Sequence, residues 1–341
     1  VYPALDIAKL DVGTWNLPAP RAGFSYDLGG NSKSVIKGTY GWFNDEINEA
    51  FAGDYNPNVD VITTYVWRDL NNDKLYQRGE VNLALNGPDF VSQRGATANV
   101  LNPDLKYQGI HELTGSLEHE LGPGTGLRFL YTYRLFRNEN IWTNIKRPYS
   151  AYNIPITATD PGPDGRVGTT DDKGNVTLYT FGPEWRGAAF EGNMRVNVPE
   201  PDSFHTYEIT LNKRLSEKWQ MTASTSFTKN HQWIRSRLGT VPGSSSSDYS
   251  AGLPQSPNDD FFPLDQSTEW TFKTTASYVL PYDIRAAGMV FLENGALGQR
   301  TFNFGGIPQL SVVTLRLEPY GESRGPAQKY FDIRIGKNIK L

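Results

Sequence analysis

The sequence contains no cysteine, which excludes disulfide staples, thiolate metal sites and thiol nucleophiles. It has no run of roughly 18 consecutive apolar residues, so no segment reads as a membrane-spanning helix. That absence leaves barrel strands open, because their hydrophobicity only alternates. An excess of one charge is missing too. The 33 Lys and Arg against 37 Asp and Glu leave a formal charge of −4, without the basic surplus that marks a nucleic-acid partner. Histidine is scarce, and His111, His119, His205 and His231 fall in no H-E-x-x-H spacing. There is no G-x-S-x-G elbow, so Ser244 to Ser247 read as a flexible tip and not as a nucleophile. No blade-length repeat supports a propeller. The opening Val1-Tyr2-Pro3-Ala4-Leu5-Asp6 has neither the charged nor the apolar region of a signal peptide. With a strand-like run ending the chain, it reads as an internal piece of a longer protein.

What the sequence has in quantity is aromatic residues (18 Tyr, 17 Phe, 8 Trp) and strict alternation. In 127–137, Leu127, Phe129, Tyr131, Tyr133 and Leu135 fall on one face, with Arg128, Thr132 and Arg134 on the other. Before it, Leu113, Leu117 and Leu121 oppose Glu112, Thr114, Ser116, Glu118 and Glu120. Further on, Tyr207, Ile209 and Leu211 oppose Thr206, Glu208, Thr210 and Asn212. Successive Cβ atoms point to opposite sides of a pleat, so each run is a two-faced strand. Nine spans follow this rule: 20–28, 33–43, 107–121, 127–137, 204–214, 218–229, 267–280, 283–293 and 328–338. Several exceed the soluble norm of ~5–6 residues and suit a membrane strand.

The connections are sorted by length. Leu28-Gly29-Gly30-Asn31, Gly122 to Gly126, Ser216-Glu217 and Pro281-Tyr282 are short turns. Segments 44–106, 138–203, 230–266 and 294–327 are long, polar and rich in Gly, Pro and Asp. Alternate placement puts every short turn on one rim and every long loop on the other, as in an outer-membrane barrel with periplasmic turns and extracellular loops. Two extra strands are expected within the loops, at Val59–Trp67 and Val176–Phe181. Aromatics at strand ends, Trp42-Phe43, Phe136, Trp219, Tyr282 and Phe331, suggest interfacial girdles. The fold class is therefore all-β: an antiparallel up-and-down transmembrane β-barrel, present in part as one domain over 1–341 whose closing strands lie elsewhere. Outer-membrane lipid is its first partner. A soluble, secreted all-β binding or hydrolytic protein with a core face and a wet face is the competing reading.

Pro20-Arg21-Ala22-Gly23-Phe24-Ser25-Tyr26-Asp27-Leu28, followed by Gly30-Asn31-Ser32-Lys33-Ser34-Val35-Ile36-Lys37-Gly38-Thr39-Tyr40-Gly41, resembles a recurrent hairpin of TonB-dependent outer-membrane receptors. It is most similar to the Oar-like branch with an N-terminal carboxypeptidase-regulatory-like domain. Asn102-Pro103-Asp104-Leu105-Lys106 and Tyr330-Phe331-Asp332-Ile333-Arg334 resemble further strands of that family. The resemblance implies a barrel of roughly 22 strands, a plug, and a TonB-type energy-transducing complex as partner. It implies uptake of a scarce or bulky nutrient (chelated metal, oligosaccharide or peptide) without covalent chemistry, hence no enzyme. A plug and TonB box are missing from this chain, and Leu341 replaces the usual terminal aromatic, which fits a fragment. A surface adhesin or secretion-related barrel is the alternative of another class.

On this reading Arg21, Asp27, Glu112, Glu118, Arg128, Arg134, Glu208, Lys273, Asp332 and Arg334 line the lumen. Trp42, Trp67, Trp142, Trp185 and Trp233 lie at or above the outer rim, where rigid aromatic platforms suit an extracellular ligand or pack loops against one another. In 69–80, Asp69, Asn71, Asp73, the Leu75 carbonyl and Glu80 match the spacing of a twelve-residue calcium loop, with Lys74 where glycine usually turns. The competing reading is an Asn/Asp-rich turn. Asp160, Asp164, Asp171 and Asp172 form a second acidic, glycine-punctuated loop of calcium-compatible chemistry.

Overall fold

The computed structural model describes residues 9–45, 49–56, 58, 61–94, 99–233, 254–262, 264–310 and 312–337. The tip at 244–247 lies outside them, as do residues 59 and 60 of the first expected loop strand. Alternation at period two becomes one meander. Its strands are β1 (Arg21–Asp27), β2 (Ser34–Asn44), β3 (Gly109–Gly122), β4 (Thr125–Arg137), β5 (Ser203–Ser216), β6 (Trp219–Trp233), β7 (Thr268–Leu280), β8 (Ile284–Glu293) and β9 (Gln328–Lys337). Each pairs antiparallel with the next in chain order. All nine expected spans are strands. The widest departure is at β6, which runs to Trp233 and there pairs with a two-residue strand at Leu264–Asp265.

The tight rim is built by turn chemistry. Ser216 pairs with Trp219, so Glu217 and Lys218 alone make the β5–β6 turn, with φ of 50° and 73°. Two successive positive φ values fit the primed hairpin turn whose twist matches its strands. The turn therefore sits one residue later than the expected Ser216-Glu217. Gly122 pairs with Thr125 across Pro123-Gly124, where Gly124 takes φ 71°. Proline presets the first position and glycine tolerates the second.

The register carries one row of side chains across the sheet on the apolar face: Phe24, Gly38, Gly115, Tyr131, Tyr207, Phe227 and Trp270. Phe24, Leu117, Phe129, Ile209, Phe227, Trp270 and Ile333 on that face are exposed, Ile333 by 83%. A soluble monomer rarely leaves so continuous an apolar surface bare, and no second layer of the described residues covers it. The soluble-sheet reading is thereby removed. On β3, His111 and His119 bracket Leu113, Gly115 and Leu117. Their separation is roughly 26 Å along the strand at ~3.3 Å per residue, close to the height of an outer-membrane barrel's apolar band. β1 and β9 do not pair with each other, so these nine strands are an arc of wall.

The girdle expectation divides by face. Trp42 points outward and stacks on His111, with centroids 5.2 Å apart, and Phe331 shares the outward face with Val290. Phe43 and Phe136 instead lie on the inner face. Phe43 opposes Ile110, Ile110 opposes Phe136, and Phe136 meets Phe204 at 5.4 Å. They form an aromatic collar inside the mouth. Among the described residues no helix is long and apolar enough to cross a membrane.

Candidate functional site

The inner face of the wall carries paired charge. Lys37 Nζ lies 2.8 Å from Glu118 Oε2, Arg128 Nη2 lies 2.5 Å from Glu208 Oε1, and Arg134 Nε lies 2.6 Å from Glu112 Oε2. Thr210 donates to the same Glu208 oxygen, and Thr206–Thr228 and Ser226–Thr271 hydroxyl pairs continue the polar surface. The Arg21 guanidinium lies 4.6 Å over the Phe43 ring, and Lys273 Nζ lies 5.3 Å over Phe291. Asp332 and Arg334 stand opposite Met289 and Ala287 on β9. Asp27 departs from the expected wall. Its carboxylate accepts the N–H groups of Gly29 (3.2 Å) and Ser32 (2.6 Å), because the β1–β2 turn leaves those donors without a strand partner.

Above the wall the long loops build a core of their own. The second outer loop folds a hairpin from Ile154–Thr159 and Asn175–Thr180, where a strand was expected at 176–181. The fourth folds one from Thr301–Gly305 and Val312–Arg316. Leu178, Val313 and Leu315 between them are fully buried, with Tyr152, Phe181 and Phe304 packed round them. The third loop adds a one-turn helix at Pro257–Asp260. Its Asn258 accepts from Tyr179 N–H and donates to Tyr179 C=O, both at 2.8 Å. Ser256 and Asp259 close a capping box. Asp259 is buried, and desolvation raises its carboxyl to about 6. Arg147 Nη2 lies 2.8 Å from Glu191 Oε1 in the interior, with its guanidinium over Phe181, and burial pushes the Glu191 carboxyl up. The first loop contributes Ile62–Tyr65, paired with Phe90–Arg94. It also contributes Asn99–Val100, which joins Asn193–Asn197 and through it Asn140–Asn144.

The four of the five tryptophans whose side chains are described do not gather. Trp42 is on the outward face. Trp142 is held between Tyr55 at 5.9 Å and the Arg195 guanidinium at 4.8 Å. Trp185 packs on Phe190 and the loop core. Trp67 is exposed and donates its Nε1–H to Glu80 at 2.8 Å. The side chain of Trp233 lies outside the described residues. Two of them, Trp142 and Trp185, therefore pack loops together, and among the four described side chains only Trp67 presents an open ring in a loop.

The 69–80 loop does not assemble a calcium shell. Asp69 accepts Asp73 and Lys74 N–H, Asn71 accepts Asp73 N–H, and Asp73 accepts Leu75 N–H. Glu80 is buried and already accepts Trp67 Nε1–H, Leu70 N–H and Gln77 N–H. A bidentate ligand would have to abandon those donors, so the residues as placed do not fit the ion. These side-chain to N–H contacts are those of Asx turns. In the second acidic loop Asp160 meets a guanidinium: Arg300 Nη1 and Nη2 approach it at 2.5 and 2.9 Å. Asp164 accepts Arg166 N–H, Asp171 accepts Asp164 N–H, and Asp172 accepts Gly168 N–H. Among the described residues no three His, Asp or Glu side chains converge on a metal position.

Sequence reasoning missed Arg300, the Arg147–Glu191 pair and the inner collar, because each depends on residues distant in the chain. Only the Ser256-Pro257-Asn258-Asp259 box had a local signature.

Among solved structures, the chain is similar to the outer membrane transporter YddB from Escherichia coli, with 12% identity and a TM-score of 0.42 over 93% of this chain and 34% of that one. It thus spans about a third of that structure's length. No curated protein matches. A family model, the outer membrane beta barrel domain, matches residues 9–301. With a lipid-facing apolar surface, a charged inner wall and connections sorted by rim, the chain belongs to the outer membrane beta barrel domain family and resides in the outer membrane.

Proposed function

We propose that this wall belongs to a TonB-dependent importer of a scarce or bulky nutrient, of the chelated-metal, oligosaccharide or peptide class. The observation that carries the reading is the vertical order of the inner face. An aromatic collar of Phe43, Phe136 and Phe204 lies at the mouth, with the paired charges Glu112–Arg134, Arg128–Glu208 and Lys37–Glu118 toward the tight rim. Rings offer flat contact to sugar, peptide or chelate faces. Paired charges keep the wall polar without presenting one sign strong enough to trap the cargo. The outer loops capture, a plug supplied by the rest of the protein yields to the energy-transducing complex, and the cargo passes along this face. No covalent step is involved. The hairpin at 20–41, similar to that of TonB-dependent receptors, supports the same reading.

Uptake by the full-length protein in its own outer membrane tests the proposal. Accumulation should stop when the proton-motive force is collapsed, and Phe136→Ala or Arg128→Glu should lower it. Accumulation that survives the collapse would identify a passive pore. The loop core around Leu178 and Val313 favours a second reading, a surface adhesin. In that case adhesion would persist after Arg128→Glu and vanish when the loop core is disrupted.

A further inference from the structure

The row of outward side chains at mid-strand is aromatic except at two adjacent places, Gly38 and Gly115. They are not equivalent. A Cβ on Gly38 would fall 2.4 Å from the Phe24 ring, which already covers that position, whereas a Cβ on Gly115 would meet nothing within 4 Å. The result is a groove of about 620 Å³ on the lipid-facing surface. Phe24 and Ile36 form one wall, Phe129 and Tyr131 the other, and Leu113 and Leu117 lie along its length. Glycine inside a strand weakens it and often marks a close approach by something else.

Toward the mouth the groove is lined as far as Leu113 and Tyr40, and Tyr40 joins it to a polar, aromatic station centred on His111, four residues from Gly115. His111 Nδ1 lies 2.8 Å from Tyr40 Oη, and Trp42 stacks on the imidazole. The distance is roughly 13 Å along the strand, which brings the station to the headgroup level of the outer leaflet while Gly115 lies near mid-depth. Aromatic hydroxyls and indoles prefer that interface.

We infer that the Gly115 groove holds one acyl chain of an outer-leaflet lipid, its headgroup at the Tyr40–Trp42–His111 end. The occupant follows from position: the face is continuous with the lipid-exposed surface, its lining is nearly all hydrocarbon and ring, and only its outer end offers polar atoms. The seat is a property of the wall and does not depend on what the barrel transports.

Native mass spectrometry of the full-length protein, released from membranes in mild detergent, reads the lipid directly. The wild type should retain a lipid that Gly115→Leu, which fills the groove, holds about tenfold less well, equivalent to about 1.4 kcal/mol. Gly288→Leu, at another outward glycine, where a Cβ would make ordinary contact with the Asp332 carbonyl oxygen at 3.5 Å, should retain it as the wild type does. Heat-modifiable migration on gels establishes that each variant is folded. A lipid bearing a photoreactive group at its chain terminus should crosslink to the peptide containing 113–117 in the wild-type protein, which tests the seat even if Gly115→Leu fails to fold. Equal retention by wild type and Gly115→Leu, or crosslinks spread over β1–β9 as for freely exchanging boundary lipid, would overturn the inference.

Discussion

Arg300 of the fourth outer loop grips Asp160 of the second with both terminal nitrogens, at 2.5 and 2.9 Å, across 140 residues of sequence. Glu318 stands 3.6 Å from the same guanidinium. This pairing joins two loops that leave the wall at different strands.

Breaking the pair should loosen the outer loops without unfolding the wall. The Arg300 guanidinium holds the Asp160 carboxyl below the usual range. A carboxyl with a lowered folded pKa stabilises above its unfolded value, and that contribution is lost as pH falls through the folded one. Arg300→Ala should cost roughly 2–3 kcal/mol, since it leaves a largely buried carboxylate without its partner. Hydrogen exchange in 154–180 checks this: protection should drop in the variant at pH 7 and, in the wild type, below about pH 4.

Asp259 should give the opposite trend. Its folded carboxyl titrates at about 6, raised by burial, so protonation favours the docked helix. The stabilisation is complete below the unfolded value near 4 and is lost as pH rises to about 6, a swing of roughly 3 kcal/mol. Asp259→Asn should flatten the pH dependence of exchange at 175–180 between pH 4 and 6.

Leu178→Ala should destabilise the loop core by about 2–5 kcal/mol, the cost of a cavity at a fully buried site. Proteases added to intact cells should then cut within 138–202, while heat-modifiable migration of the barrel persists.

On the wall, Ile209→Arg places a cation on the lipid face and should cost about 2–4 kcal/mol near mid-depth. Thr222→Arg, one strand away on the inner face, should cost less than about 1 kcal/mol. Folding into vesicles over a denaturant series separates them; equal penalties would mean that the two faces do not differ, and a larger one for Thr222→Arg that they are assigned the wrong way round.

In the 69–80 loop, Glu80→Ala should remove an acceptor shared by Trp67, Leu70 and Gln77 and cost about 1–3 kcal/mol locally. A calcium chelator should leave exchange in this loop unchanged.

The wall was legible because its information is local. Leu127, Phe129 and Tyr131 alternate with Arg128 whatever lies elsewhere, so strand, face and rim follow from a few residues. The loop strands near 62–65 and 175–180 were legible, but their packing was not. Leu178 and Val313 sit in short apolar-rich runs, 176–181 and 310–317, and only the approach of two loops makes them a core. Asp160 drew a calcium reading because a carboxylate in a glycine-rich turn advertises oxygen but not its partner, and Arg300 lies far off in the chain. Trp42 read as a loop platform because it sits at a strand's end, where one residue of register decides between lipid and lumen.

The joined loops act on the mouth as a hoop acts on a cask. The hairpins carrying Leu178 and Val313 spring from opposite flanks of β5–β8, and their shared interior ties the upper ends of those staves together. Spreading the staves at the top would tear a dry interface as well as the strand ladders, whereas at the other rim only the ladders and tight turns hold them. The outer rim of this arc therefore resists dilation more than the periplasmic one.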